Sequence, residues 1–466
     1  MISRPLLLAT GLALMASVGC SAAPDEEAEF DEPSEDALEE ARTAVADGLP
    51  VFTSESPTGG TTFNFCTKPS APINLTNAAW LSMLSANEYA HLGYYAPQLL
   101  DLGFGTARDR VWVQCGKDLG KLRDYELTHE EELARLANSG PAYLLTHFRD
   151  ARRVGQFGTC AQDFLEKRYT AQGADGAELP GSALRDFLMR ETQEASYIQF
   201  LSGKPYSFLE KWMGRGSAQA VVARHGTKPV IVVAFRGTEP PQKDNIRFRQ
   251  VIDLIKDLEF FKTDLTAKGF SQGWGFAHSG FLSSFQALDD VDAGRALTRR
   301  IKALTAQDPN VGIWITGHSL GGALATLMTA RLLDQMDQGE KLNVKGMYTF
   351  GSPMVGNDVF KKKLEESARR HGVSLARFRN DQDLVTRVPG VFDIMNYHHV
   401  GELAWLTPSG LSTPTTDPPY ADSNMLDHSI AGLAGPRGSR REVSGYYSRI
   451  AAAMKAKPEM SRCDAP

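Results

Sequence analysis

The sequence of 466 residues contains only five cysteines and has no apolar run long enough to span a bilayer comfortably. None of the cysteines has the C-x-x-C or cysteine–histidine spacing of a zinc site. The chain also lacks an excess of basic residues, with 50 lysines and arginines against 56 acidic residues. Metal binding and a nucleic-acid partner are therefore not predicted.

The N-terminal 19 residues have the pattern of an export signal. Arg4 precedes an apolar run from Pro5 to Val18, and small residues lie just before Cys20. The stretch Ser17-Val18-Gly19-Cys20 resembles a bacterial lipobox, which implies cleavage before Cys20 and acylation of its sulfur. Ordinary secretion, with cleavage near residue 22 or 23, is the alternative.

The residues after Cys20 predict a solvated tether. Residues 25–40 contain ten acidic residues and no basic residue, a composition that does not form a packed core. We therefore predict a flexible segment over residues 20–60. Ser21 after Cys20 resembles the sorting pattern of outer-membrane lipoproteins, so we expect an exported protein held on the membrane by this acyl anchor.

Four cysteines remain for the folded part of the chain: Cys66, Cys115, Cys160 and Cys463. In an exported protein they can form two disulfides, with three possible connectivities. We favour a bond between Cys66 and Cys463 that staples the termini, and the sequence leaves the other pairings open.

The most informative stretch is Ile315 to Ala325, ITGHSLGGALA, in which glycines surround one serine. A β-branched apolar run precedes it and a helical pattern follows, so Ser319 is predicted at a strand-to-helix turn. Gly317, Ser319 and Gly321 fit G-x-S-x-G, the nucleophile elbow. The N–H of Leu320 at the start of the helix is an expected donor to an oxyanion.

A serine nucleophile needs a base, and the base needs an acid. Asp383 in FRNDQDLVTRVP is the favoured acid, Asp381 is its rival, and Asp393 is interpreted as a loop cap. His428 is the favoured base because it follows a polar loop. His398 and His399 lie in an alternating, strand-like stretch where a structural role is more common.

The second oxyanion donor is expected after an earlier strand. KPVIVVAFRGTE predicts a buried strand that ends in a turn, where the backbone N–H and the hydroxyl of Thr238 would face the site.

The chain changes character along its length. Residues 75–215 look mostly helical, including ALRDFLMRETQEASYIQFL, whereas strand-like runs alternate with helical segments from Ala218 onward. The runs are SAQAVVARHG, KPVIVVAFRG, VGIWITGHS, VKGMYTFGS and VSLARFRND. This order and the elbow predict an α/β-hydrolase fold with a mostly parallel central sheet. We divide the folded chain into a mostly helical N-terminal segment (61–190), an α/β domain (191–435) and a helical tail (436–466).

The segments VVAFRGTE, AHSGF, ITGHSLGGALA, YTFGSPMVGN, DLVTRVP and YHHVGEL, in this order, resemble the class 3 (fungal-type) lipase family. The resemblance covers roughly Glu191 to Leu433. It implies Ser319 as nucleophile, Asp383 as acid, His428 as base, and Thr238 with Leu320 as oxyanion donors, with no cofactor. His278 matches a family histidine and is expected to be structural. Thr386 and Met354 depart from the family pattern without removing a catalytic group.

The segment after Thr238 resembles the helical lid of such lipases, which covers the site in water and opens at a lipid–water interface. An apolar stripe at helical spacing supports the lid, and an ordinary core helix is the alternative. The stripe consists of Phe248, Val251, Ile252 and Ile255. Trp274 and Phe276 either line an acyl groove or pack in the core.

These observations favour a serine carboxylester hydrolase that cleaves lipid acyl esters such as triacylglycerols through an acyl-enzyme. A phospholipase is the alternative within the same chemistry. A catalytically inactive, surface-anchored binding protein is the alternative from another class.

Overall fold

The computed structural model describes fourteen parts of the chain: residues 63–87, 99–107, 109–110, 125, 129, 131–133, 135, 196–203, 218–237, 262–289, 297–389, 396–419, 426–428 and 445–464. Cys20, the tether, Cys115, Cys160, Thr238, the lid stripe, Asp393 and most of the N-terminal helical segment lie outside them. Among the described helices, none is both long and apolar enough to cross a bilayer.

The described core is an eight-stranded sheet. The strands are β1 (Ile198–Gly203), β2 (Ala218–Arg224), β3 (Val230–Phe235), β6 (Gly312–His318), β7 (Val344–Phe350), β8 (Ser374–Asn380), β9 (Glu402–Thr407) and β10 (Gly410–Ser412). Their spatial order is β1-β2-β3-β6-β7-β8-β9-β10. Strands β3, β6, β7, β8 and β9 are parallel, and the outer pairs are antiparallel. A small separate hairpin joins β4 (Lys262–Asp264) to β5 (Phe276–His278).

The sheet is mostly parallel, as predicted for the α/β-hydrolase fold, and the five strand-like runs from residue 218 onward all form strands. Strands β3 and β6 are buried along their whole length, which explains why both are continuous apolar runs. The prediction of helix was wrong for IQFL, since β1 starts at Ile198 and pairs with β2. Its β-branched and aromatic residues fit an outer strand, and pairing with β2 outweighed the local helical pattern.

Helices cover both faces of the sheet. One core contains side chains of α1 (Leu75–Asn87) and α6 (Tyr446–Ala456), with Trp80 and Ile450 among them. The opposite core contains side chains of four helices. These are α2 (Ser279–Leu288), α3 (Leu297–Ala306), α4 (Leu320–Asp337) and α5 (Asp358–His371). Strands β2, β3, β6, β7 and β8 contribute side chains to both cores, as a sheet covered on both faces requires.

The two ends of the described chain meet beside α1. Cys66 and Cys463 form a disulfide, so the pairing favoured from the sequence is confirmed. Residues 69 and 463 also form an isolated β-bridge, and the Asn74 side chain donates to the Arg462 carbonyl at 2.8 Å. The C-terminal tail is therefore attached to the N-terminal part of the fold.

Candidate active site

The site lies at the edge where the parallel strands end. Register pairs Phe235 with Gly317, His318 with Phe350, and Phe350 with Phe378, so β3, β6, β7 and β8 finish side by side. The loops that follow the carboxyl ends of parallel strands meet at this edge, where such folds bind ligands.

Ser319 connects β6 directly to α4. Its backbone has φ 57° and ψ −131°, a conformation that residues other than glycine rarely adopt. The Ser319 N–H donates to the Phe350 carbonyl at 2.9 Å, which ties this turn to the end of β7. Ser319 is partly exposed among the described residues.

The glycines of the elbow are required by close backbone contacts. A Cβ on Gly317 would lie 2.1 Å from the Gly321 carbonyl oxygen, and a Cβ on Gly321 would lie 2.2 Å from the Phe235 carbonyl oxygen. Neither backbone can move without disturbing the sheet, so any side chain at these positions would prevent α4 from packing against β3 and β6.

The structure brings Asp383 and His428 together, although 45 residues separate them. Asp383 follows β8, and its Oδ1 accepts the Val385 N–H at 2.9 Å. His428 Nδ1 lies 2.9 Å from Oδ2 and 3.0 Å from Oδ1 of Asp383. With Nδ1 donating to the carboxylate, Nε2 is the ring nitrogen that remains available to accept a proton.

The rival residues contact other groups. Asp381 Oδ2 lies 3.8 Å from Arg449 Nη1. His398 Nε2 lies 2.6 Å from the side-chain oxygen of Asn396, and His399 Nε2 lies 2.7 Å from the Thr386 carbonyl. The last two histidines precede β9 instead of lying in it.

Asp383 is held ionised by its partners. The residue is fully buried, and burial raises the pKa of its carboxyl group. The opposing effects of His428, the Tyr446 hydroxyl and His318 are larger, so the pKa of Asp383 lies below its ordinary value. A buried carboxylate with these donors is suited to stabilise an imidazolium on His428.

His318 contacts both the backbone and the ring of His428. Its Nε2 lies 2.7 Å from the His428 carbonyl oxygen, and the two rings pack with centroids 4.5 Å apart. Burial, followed by the charge of His428, lowers the pKa of His318 to about 3. His318 is therefore neutral at ordinary pH and does not repel a proton on its neighbour.

Gly351 joins the serine turn to the acid–base pair. It follows Phe350, whose carbonyl binds Ser319, and its φ is 58°. A Cβ at this position would lie 2.7 Å from Asp383 Oδ2 and 2.9 Å from His428 Nδ1. The Asp383–His428 pair therefore packs directly on the backbone that follows the Ser319 contact. Gly351 was not predicted as a site residue, although the GSP in YTFGSPMVGN marks a turn after a strand.

Of the two predicted oxyanion donors, only Leu320 is described. Leu320 begins α4, and the first N–H groups of a helix have no partner within that helix. Residues Phe235 and Arg236 lie against Gly321, so the loop that leads to residue 238 starts beside the elbow. The placement of Thr238 as a donor remains a prediction.

The β4–β5 hairpin follows the candidate lid in the chain and is fixed to α4. Trp274 is buried, and its Nε1 donates to Asp334 at 2.8 Å. Phe276 is 41% exposed. His278 caps α2 by accepting from the Gly280 and Phe281 N–H groups, as expected for a structural histidine. Trp274 therefore packs in the core, whereas Phe276 is available at the surface.

Part of the chain matches a known protein family. Residues 232–392 match the family Lipase (class 3). The chain is 30% identical over 238 residues to phospholipase A1-II 6 of Oryza sativa subsp. japonica, covering 46% of this chain and 53% of that protein. It is 28% identical over 227 residues to secreted mono- and diacylglycerol lipase A of Penicillium cyclopium, covering 48% and 64%.

The chain thus spans between about half and two thirds of the length of these curated relatives. Among solved structures, lipase II from Rhizopus niveus is similar at 23% identity, covering 60% of this chain and 97% of that one with a TM-score of 0.37. Because this TM-score is low, the fold assignment depends on the strand order and the strained elbow described above.

Proposed function

Because residues 232–392 match the class 3 lipase family, we propose that the protein is a serine carboxylester hydrolase that cleaves lipid acyl esters. The observation that carries this proposal is the packing of the Asp383–His428 pair on Gly351, next to the carbonyl that binds the strained Ser319. These contacts support Ser319, His428 and Asp383 as nucleophile, base and acid at the edge of the sheet.

The chemistry follows from the roles of these groups. His428 Nε2 accepts the proton of the Ser319 hydroxyl as the oxygen attacks the ester carbonyl. The N–H groups of Leu320 and Thr238 stabilise the oxyanion, and His428 then protonates the departing alcohol. Water activated by His428 hydrolyses the acyl-enzyme, while Asp383 keeps the imidazole in the tautomer that this cycle needs.

We propose neutral acyl glycerides as the principal substrate class and place the reaction at a lipid–water interface. The name of the Penicillium relative supports glycerides, and the apolar stripe at residues 248–255 supports a lid that exchanges contact with the site for contact with lipid. Phospholipid is the second candidate, because the rice relative is named a phospholipase.

The decisive experiment measures hydrolysis of p-nitrophenyl butyrate and p-nitrophenyl palmitate, with and without detergent micelles. We expect Ser319→Ala to lower kcat by about 10⁶-fold on both esters, because no other group replaces the nucleophile. Hydrolysis of the palmitate ester that increases with micelles supports a lipase. Activity on butyrate alone would limit the protein to short esters and would remove the lid from the proposal.

Two further measurements separate the alternatives. Fatty-acid release from phosphatidylcholine vesicles at a rate equal to that from diacylglycerol emulsions would favour a phospholipase. A fluorophosphonate probe should label the unmodified protein and leave Ser319→Ala unlabelled. Absence of labelling in both proteins would favour the inactive binding protein.

We also propose that the protein is an exported lipoprotein anchored through Cys20. The lipobox-like stretch and the acidic tether support this proposal. Expression in a Gram-negative host with labelled palmitate should give a labelled protein in the outer-membrane fraction. The variant Cys20→Ala should lose the label, and equal labelling of both proteins would contradict the anchor.

A further inference from the structure

The C-terminal helix α6, which lies beyond residues 232–392, reaches the acid of the proposed site. Tyr446, its first residue, is fully buried, and its hydroxyl donates to Asp383 Oδ2. The same hydroxyl accepts the Asn380 N–H at 3.0 Å. Asp383 Oδ2 also lies 2.9 Å from His428 Nδ1, so Tyr446 and His428 share one carboxylate oxygen.

Arg449, three residues further along α6, is directed to the same region. Its Nη1 donates to the Leu406 carbonyl at 2.9 Å, at the end of β9. The guanidinium lies 3.8 Å from Asp381 Oδ2 and 3.9 Å from Asp427 Oδ1. Asp381 stands two residues before the proposed acid, and Asp427 stands directly before the proposed base. One side chain therefore contacts both turns of the site.

The carboxyl groups around Arg449 explain why a positively charged side chain is favourable at this position. Burial raises the pKa of Asp427, and Asp381 and Asp383 raise it further, while the Gln382 N–H and Arg449 act in the opposite direction. Three carboxyl groups thus lie close together in a partly buried place, where like charges repel strongly. Arg449 offsets this repulsion between the turn of Asp427 and the turn of Asp383, which the Asn380 side chain and the Gln382 N–H also join by hydrogen bonds to Asp427.

The helix is a rigid platform for these two side chains. Ile450 and Ala453 are buried in the core that contains Trp80 of α1. Beyond α6, the disulfide between Cys463 and Cys66 fixes the tail to the start of the described chain. Tyr446 and Arg449 are therefore held at fixed positions relative to the sheet.

We propose that Tyr446 and Arg449 are positioning residues that hold Asp383 and His428 in their reactive arrangement. This inference depends on the proposed function, since it concerns the same site. Tyr446 fixes the orientation of the acid, and Arg449 holds the acid and histidine turns together. Neither side chain takes part in bond making.

The test compares Tyr446→Phe and Arg449→Gln with two controls on the same helix, Tyr447→Phe and Lys455→Gln. Hydrolysis of p-nitrophenyl butyrate is measured from pH 5 to pH 9 for each full-length protein, with thermal unfolding followed by circular dichroism. We expect each positioning variant to lower kcat about tenfold with little change in KM, and the controls to match the unmodified protein.

The pH profile distinguishes positioning from a purely structural role. Asp383 and His428 face His318 on β6, Asp427 and Tyr446, and Arg449 faces Asp381 and Asp427. Loss of the Tyr446 hydroxyl or of the Arg449 charge leaves more uncompensated negative charge beside the acid–base pair. The acidic limb of kcat/KM should therefore move to higher pH in both variants.

The outcomes are separable from those of the proposed function. If the unmodified protein shows no Ser319-dependent hydrolysis, the proposed function fails. If it is active and both variants keep its kcat and its pH profile, the positioning role is overturned. A loss of kcat with an unshifted pH profile and a lowered unfolding temperature would also overturn it, because α6 would then act only through stability.

Discussion

The two halves of the site are held in different ways. The nucleophile half is made from backbone: Ser319 lies between β6 and α4, and the glycines on either side of it contact carbonyl oxygens. The acid–base half is made from side chains that come from distant parts of the chain. Asp383, His428 and Tyr446 meet through hydrogen bonds across 45 and 63 residues.

This difference predicts two kinds of failure. A change in the elbow should disturb the sheet, because strand register and helix packing depend on the same atoms. A change in the acid–base pair should remove activity and leave the sheet intact, because the pair lies on loops at its edge. The following variants test this contrast, beginning with the largest expected effect.

Asp383→Asn should lower kcat for p-nitrophenyl butyrate by about 10⁴-fold, because an amide does not fix the imidazole tautomer or stabilise its charge. Thermal unfolding measured by circular dichroism should still show a cooperative transition. An activity within tenfold of the unmodified protein would mean that another acid serves His428, and Asp381→Asn tests whether Asp381 is that acid.

Gly321→Ala should lower the free energy of unfolding by about 3 kcal/mol, because its Cβ would meet the backbone of β3 at 2.2 Å. Urea unfolding measures the loss. Gly312→Ala is the control on β6, since there the nearest atom at 2.9 Å is Lys345 Cγ, which can move. Equal stability of the two variants would contradict the claim that the elbow depends on close backbone contact.

Gly351→Ala should lower kcat by about 10²-fold, because the added Cβ would displace Asp383 or His428 from their contact. Gly372→Ala is the matched control, since it also has a positive φ (68°) but its Cβ would meet no atom within 4 Å. Both variants should lose similar stability from backbone strain. If their kcat values also agree, Gly351 does not shape the acid–base half.

The free energy of unfolding should depend on pH through His318, which precedes Ser319 and contacts His428. Its pKa of about 3 in the fold lies below its value of 6.5 in the unfolded chain, so the unfolded chain binds the proton first. His318 therefore contributes stability above pH 6.5 that is lost as the pH falls, by about 2 kcal/mol between pH 6.5 and pH 5.

Urea unfolding at both pH values measures this loss in the unmodified protein, in Ser319→Ala and in His318→Gln. Buried His278, whose pKa is lowered to about 4, adds a similar pH dependence to all three proteins. Only His318→Gln should show a smaller loss, since glutamine still donates to the His428 carbonyl without titrating. The same pH dependence in all three would mean that His318 is not kept neutral by the fold.

Much of the fold could be predicted from the local pattern of apolar residues in the sequence. The runs that became β2, β3, β6, β7 and β8 are apolar and β-branched because they are buried in the sheet, and this requirement is visible in any short window. Strand β1 was predicted as helix because its sequence follows a helical pattern, and only pairing with β2 decides its conformation.

The two halves of the candidate site could be predicted from the sequence to different degrees. The spacing of Gly317, Ser319 and Gly321 could be recognised because it follows from steric contacts within a single turn. No local signal showed that Tyr446 would reach Asp383, because the helix of residues 446–456 is amphipathic for core packing in any case. The contacts of Arg449 with Asp381 and Asp427 depend on how three separate segments meet.

By itself, the sequence determined which segments form the buried strands, the serine turn and the type of chemistry that the turn permits, because each depends on neighbouring residues. The motifs also predicted Asp383 and His428 as acid and base, but tertiary structure alone decided how the two side chains meet and that the C-terminal helix contacts both of their turns. Hydrogen bonds between distant segments form only after burial of the two cores has brought those segments together, and no short stretch of sequence contains that information.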